Sequence, residues 1–140
     1  MQRKASAVWQ GDLKSGKGTI STDSGTLKQT QYSFSTRFEN GVGTNPEELL
    51  AAAHAGCFTM AFSAQLTQAG FTADKIETTA KLTLDMHDKP TITKIHLTMS
   101  AKVPNLDKAK FDELAKNAET GCPVSRVLKA AEITLDATLL

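Results

Sequence analysis

Two cysteines in 140 residues are too few for a disulfide scaffold. None is needed, because a chain of this length buries roughly 68–70% of its unfolded surface and closes a core without staples or structural metal. Charge of one sign is also missing. Lys+Arg 16 against Asp+Glu 15 gives +1, and with no basic block or acidic tail there is no electrostatic footprint for nucleic acid or an anionic membrane. The longest apolar stretch, Leu49 to Ala64, is interrupted by His54, Thr59 and Ser63. It falls short of the ~20 residues a membrane-spanning helix needs and reads as a core helix. The N-terminus carries Arg3 and Lys4, but Ala-Ser-Ala-Val-Trp-Gln-Gly follows, too short and polar for a signal-peptide core. Cytoplasm is the expected compartment. No phosphate-binding glycine motif is present, and no cofactor is expected.

What is present is 40% apolar and 22% charged, the balance of a packed globular domain. With no repeat, low-complexity segment or linker, residues 1–140 read as one domain. Ala5, Ala7 and Trp9 share a parity, and strands are expected there and at Thr19–Thr22 and Thr26–Gln29. Tyr32, Phe34, Thr36 and Phe38 alternate with Ser33, Ser35, Arg37 and Glu39, which predicts a strand with Arg37 on the polar face. Asn45-Pro46-Glu47-Glu48 opens a helix, with Asn45 as N-cap and proline at the first position, and Gly70 can end it. Its apolar residues occupy nearly every side, so burial all round is expected, and one sheet cannot supply that. A second copy of the chain becomes the natural cover.

Ile76 to Leu84 and Ile95 to Val103 alternate as half-buried strands joined at His87-Asp88-Lys89-Pro90, with Ile92 out of phase. A helix capped by Asp107, a short second helix after Gly121 and a final strand at Ile133–Leu139 complete an α+β layout.

The chemistry turns on the thiols, because in a reducing compartment cysteines are more often reactive, metal-bound or inertly buried than paired. Cys57 lies about three turns into the long helix, in apolar sequence that raises a thiol pKa, so activation would need a cation from elsewhere. His54 shares its face and can assist or simply be a hydrogen-bonded core histidine. Cys122 stands between a helix-ending Gly121 and a helix-starting Pro123, where free N–H groups favour thiolate. Position alone makes Cys122 the more activated of the two. A redox couple, a metal site built on His54, Cys57 and Cys122, and two inert core thiols all remain open. The metal reading lacks a CxxC pair and a clear fourth ligand. His87 and His96 are expected to be solvated. Glu48 can close a capping box with Asn45, which leaves Glu47 spare in the first turn. By position alone, Arg37 is an ordinary surface arginine.

Over Thr36-Arg37-Phe38-Glu39, Gly43-Thr44-Asn45-Pro46-Glu47-Glu48-Leu49, Ala52-Ala53-His54-Ala55-Gly56-Cys57-Phe58 and Gly121-Cys122-Pro123-Val124-Ser125, the sequence resembles the OsmC/Ohr family of thiol peroxidases. His54 and the Gly-Cys-Pro-Val-Ser form make it similar to the osmotically inducible (OsmC) branch. The resemblance implies an antiparallel sheet packed on a long buried central helix, in an intertwined homodimer. It implies that Cys57 attacks an organic hydroperoxide, that Cys122 resolves it through a Cys57–Cys122 disulfide, and that Arg37 and Glu47 hold the attacking thiolate. It implies a dithiol reductant of lipoyl type, and it reverses the ranking of the cysteines by position. Leu49, Leu50, Phe58, Met60 and Phe62 are expected to line an apolar substrate pocket. Glu47 and Cys57 are ten residues apart on one helix, about 15 Å along its axis, so a shared site draws Glu47 from a partner subunit. A cysteine-based redox sensor without turnover is the alternative.

Overall fold

The computed structural model describes residues 1–140, which divide into two compact units, Met1–Leu49 and Leu50–Leu140. In the first, β1 (Ala5–Gln10), β2 (Lys17–Thr22) and β3 (Thr30–Tyr32) form an antiparallel sheet in the order β1-β2-β3. Trp9 of β1 and Tyr32 of β3 both face Gly18 of β2 in the register. A Cβ at Gly18 would stand 2.3 Å from the Tyr32 ring and 2.7 Å from the Trp9 ring, so only glycine lets the two rings close over the middle strand. Thr26–Gln29, expected as a strand, lies in the turn between β2 and β3.

The second expectation to fail is the strand through Tyr32–Phe38. The segment instead forms a helix, α1 (Phe34–Phe38). Ser33 Oγ accepts from the Thr36 amide while Thr36 Oγ1 accepts from the Ser33 amide, a reciprocal cap with threonine where glutamate or glutamine is usual. Phe34 and Phe38 alternate with polar residues, but they are also four apart, and as a helical pair their ring centroids lie 4.9 Å apart. Over five residues the two periodicities cannot be told apart, and the cap decides.

The long helix, α2 (Pro46–Gln68), starts and stops as its caps predict: Asn45 Oδ1 accepts from the Glu48 amide at 2.8 Å, and Gly70 takes a φ of +84° beyond its end. The capping box is half made, because the Glu48 carboxylate accepts from the Thr44 hydroxyl at 2.6 Å. At 23 residues, with a mean hydropathy of 1.3 over its most apolar window, α2 is long and apolar enough to span a bilayer by those measures alone. Its buried stripe of His54, Phe58, Phe62 and Leu66 packs on the protein instead. Only that stripe is buried. Ala52, Ala53, Gly56 and Ala64 are exposed, and Met60 is 76% exposed, so the all-round burial expected of this helix is not achieved within one chain.

In the second unit, β4 (Lys75–Asp85) and β5 (Thr91–Lys102) form the expected hairpin. Thr83 pairs with Lys94 but Leu84 pairs with Ile92, so Thr93 is the extra residue of a bulge and accounts for the phase slip at Ile92. The helices α3 (Lys108–Gly121) and α4 (Pro123–Val127) then cross to β6 (Glu132–Leu139), which runs parallel to β5. A parallel return needs such a crossover, so this sheet is mixed where an antiparallel one was expected. Its core joins Phe58, Phe62 and Leu66 of α2, Leu97 and Met99 of β5, and Phe111 and Leu114 of α3. Phe62 meets Phe111 edge-on at 5.3 Å with neither ring accessible. Phe62→Ala is expected to cost about 3–5 kcal/mol, read as a lowered denaturant midpoint with an unchanged slope.

Candidate active site

Two pairs of the residues singled out from sequence come together, one in each unit. In the first unit the cap of α1 turns Arg37 toward the start of α2, and Asn45 Nδ2 donates to the Thr36 carbonyl at 3.1 Å, tying the two helix ends. Arg37 Nε donates to both Glu47 carboxylate oxygens at 2.9 and 3.1 Å, and Nη2 donates to Oε1 at 2.6 Å. This is a forked, charge-assisted grip that fixes the plane of the guanidinium. The guanidinium also stands over the Phe38 ring, 5.1 Å from its centroid. Glu47 is free for this role because Glu48 is taken by Thr44.

Arg37 borders a cavity of about 260 Å³ walled by Trp9, Leu13, Tyr32, Phe34, Phe38 and Pro46. The indole N–H of Trp9 is satisfied by the Gly11 carbonyl at 3.0 Å, so the ring presents an apolar wall. One charged group at the edge of an aromatic recess suits a small ligand with a polar end and an apolar tail. None of the residues expected to line a pocket from α2 borders this cavity, and Leu49 and Leu50 are half-buried elsewhere on the helix. Phe58 and Phe62 are inaccessible in the core, and Met60 points to solvent. The residues that wall the cavity escaped notice because Trp9 and Tyr32 meet only through the strand register at Gly18. The one available signal was the glycine itself, placed inside a strand pattern.

In the second unit Cys57 and Cys122 lie with their sulfurs 2.9 Å apart, both as free thiols, the Cys122 thiol donating to Cys57. Cys57 is half-buried on α2, whereas Cys122 is wholly inaccessible at the junction of α3 and α4. Cys122 is the N-cap of α4, with Pro123 behind it, and its sulfur accepts from the Ser125 amide at 3.5 Å. Burial first, then the hydrogen bond from Cys122, push the Cys57 thiol above its ordinary pKa, and the Val124 backbone amide opposes them. Cys57 is therefore not a thiolate by its local surroundings. An activated Cys57 would need a cation brought to it, as its position in the sequence already indicates.

His54 is entirely buried, and its Nε2 lies 2.7 Å from Ser125 Oγ while Nδ1 has no partner. Burial holds its pKa below the usual histidine value. His87 is exposed as expected, but His96 is bound on the sheet face, with Nδ1 2.7 Å from Thr134 Oγ1 and Nε2 3.1 Å from Asp136 Oδ2.

The family model for OsmC-like protein matches residues 38–137, from the end of α1 to the last strand. The peroxiredoxin OsmC of Escherichia coli (strain K12) is 54% identical over 140 residues, which is 99% of this chain and 97% of that protein. The organic hydroperoxide resistance protein OhrB of Bacillus subtilis (strain 168) is 32% identical over 113 residues, covering 80% of this chain and 82% of that one. Its crystal structure superposes with a TM-score of 0.67 over 96% of this chain and 97% of that chain. The OsmC-like protein from Mycoplasma pneumoniae shares the fold at a TM-score of 0.79, covering 100% and 98% of the two chains at 16% identity. Identity of this extent, carried along the whole length rather than through one motif, shows common descent as well as common architecture, and the chain belongs to the OsmC-like protein family.

Proposed function

We propose that this protein is a thiol-dependent peroxidase that reduces organic hydroperoxides by a two-cysteine cycle. The observation that carries the reading is the Cys57–Cys122 contact at 2.9 Å, with one thiol half-buried and the other sealed. Cys57 as thiolate attacks the distal oxygen of the hydroperoxide. The O–O bond breaks, the alcohol leaves after taking a proton, and Cys57 becomes a sulfenic acid. The Cys122 thiol then attacks the Cys57 sulfur, water departs, and a disulfide forms before a second peroxide can over-oxidise Cys57. A dithiol of lipoyl type opens the disulfide by exchange. Each cycle thus converts one hydroperoxide and one dithiol into an alcohol, water and a cyclic disulfide.

Arg37, held in plane by Glu47, supplies the cation that Cys57 lacks and stabilises charge on the leaving oxygen. Glu47 stands ten residues before Cys57 on one continuous helix, about 15 Å along the axis. The Arg37–Glu47 pair therefore acts on the thiols of a second copy, in a homodimer whose contact covers Ala52, Gly56 and Met60 of α2. The aromatic recess beside Arg37 supports an alkyl or aryl hydroperoxide over hydrogen peroxide, which has no apolar part to bury. The names of the relatives, a peroxiredoxin and an organic hydroperoxide resistance protein, support the same class.

The test is consumption of cumene hydroperoxide in the presence of excess dihydrolipoamide, counted per chain. Many equivalents, taken faster than hydrogen peroxide, are expected. A single equivalent would make the protein a redox sensor rather than an enzyme. Leu13, which is 66% exposed, lines the recess without supporting the fold. Leu13→Ser is expected to raise KM for cumene hydroperoxide about 3–10-fold while leaving the hydrogen peroxide rate unchanged.

A further inference from the structure

The buried stripe of α2 carries phenylalanine or leucine at three of its four positions and histidine at the fourth, His54. A phenylalanine there would fill the space without leaving a ring nitrogen buried and unpaired, so packing does not explain the histidine. Its single partner does. Burial keeps the imidazole neutral. With Nδ1 orphaned, the tautomer that strands a lone pair rather than an N–H has Nε2–H donating to Ser125 Oγ. Ser125 in turn gives its amide to Cys122, and the amide before it, that of Val124, faces Cys57.

We infer that His54 is a positioning residue for the resolving thiol: by holding Ser125 it fixes the first turn of α4, and with it the approach of Cys122 to Cys57. A five-residue helix has little rigidity of its own. The side-chain bond anchors it to α2, the same helix that carries Cys57 three residues on. Release of that bond lets Cys122 drift, and a displacement of about 1 Å is enough to slow an intramolecular displacement severalfold or more.

The inference rests on Cys122 acting as the resolving thiol, and methyl methanethiosulfonate tests both without peroxide. Cys57 attacks the reagent sulfur and expels methanesulfinate, leaving a methyl disulfide on Cys57. Cys122 then attacks the Cys57 sulfur, the protein disulfide forms, and methanethiolate leaves. The lifetime of the adduct, followed by intact mass, reports how well Cys122 is aimed. In His54→Phe, which keeps the ring volume, the adduct is expected to persist about tenfold longer than in the unchanged protein. His54→Gln, whose amide nitrogen replaces Nε2, is expected to restore the short lifetime. Ser125→Ala, which keeps the amide but not the hydroxyl, is expected to match His54→Phe, and the double variant to be no slower than either. A lifetime in folded His54→Phe and Ser125→Ala equal to that of the unchanged protein would overturn the inference, as would a His54→Gln as slow as His54→Phe. Persistence of the adduct in the unchanged protein would instead overturn the two-cysteine cycle itself.

Discussion

Cys57→Ser is expected to lower hydroperoxide consumption by at least about a thousand-fold, whereas Cys122→Ser consumes about two equivalents, one to reach the sulfenic acid and one the sulfinic acid, and stops. The two thiols touch in the structure, yet they are not equivalent, and the difference is access. Cys57 is half-buried and Cys122 is sealed beneath the α3–α4 junction. A hydroperoxide arriving from solvent meets Cys57 first. A serine hydroxyl there cannot ionise near neutral pH or form the disulfide, so no step of the cycle survives. In Cys122→Ser the first oxidation proceeds, but the sulfenic acid has no thiol to condense with, and excess peroxide drives it to sulfinic acid. Residual hydroperoxide and the intact mass of the protein measure both outcomes. Full consumption by Cys57→Ser would place the chemistry on another residue.

Access is also what the sequence concealed. Cap residues announce themselves locally, so Asn45-Pro46 and Asp107 mark the starts of α2 and α3, and the phase slip at Ile92 marks the bulge. The helix-stop and helix-start signals around Cys122 likewise place it at the N-cap of α4. Burial of a thiol is a property of elements distant in the chain. By position Cys122 is the more activated cysteine, and nothing local reveals that it is inaccessible within the core cluster. The strand expected at Tyr32–Phe38 failed for a local reason, a Ser33–Thr36 reciprocal cap with an unusual partner residue. The aromatic recess was illegible because its walls are assembled by strand register from residues far apart in the chain. Arg37 and Glu47 were singled out by resemblance, and their forked pairing is a fact of three dimensions that neither residue's neighbourhood foretold.

The uncovered side of α2 connects these observations. Alanine, glycine and methionine at Ala52, Gly56 and Met60 leave a helix face that costs little to bring close to another helix, and one chain supplies nothing to bury it. The same helix carries Glu47 at one end and Cys57 ten residues on. In the proposed homodimer a second copy on that face would cover the apolar surface and bring its own Arg37–Glu47 pair, which makes assembly and catalysis one requirement of the proposal.

Arg37→Ala is expected to slow Cys57 oxidation by about 10²–10³-fold without loss of the fold. The side chain is 37% exposed, so its removal opens no cavity in the core. In the proposed mechanism Cys57, whose pKa is pushed up chiefly by burial, depends on a positive charge to react as thiolate. With that charge gone its pKa rises further, so the oxidation rate of Arg37→Ala goes on increasing at pH values where the unchanged protein has levelled off. Arg37→Lys restores the charge but not the fork that grips Glu47, and only partial recovery is expected. An unchanged rate, or a slower rate with an unchanged pH profile, would remove Arg37 from this role. Cys57→Ser and Arg37→Ala chains, each inactive alone, test the shared site when refolded together. A heterodimer contains one site with an intact Cys57 from one chain and an intact Arg37 from the other. Random pairing makes half the molecules heterodimers, so about a quarter of full activity returns if the site is shared between subunits, and none returns if each chain serves its own thiols.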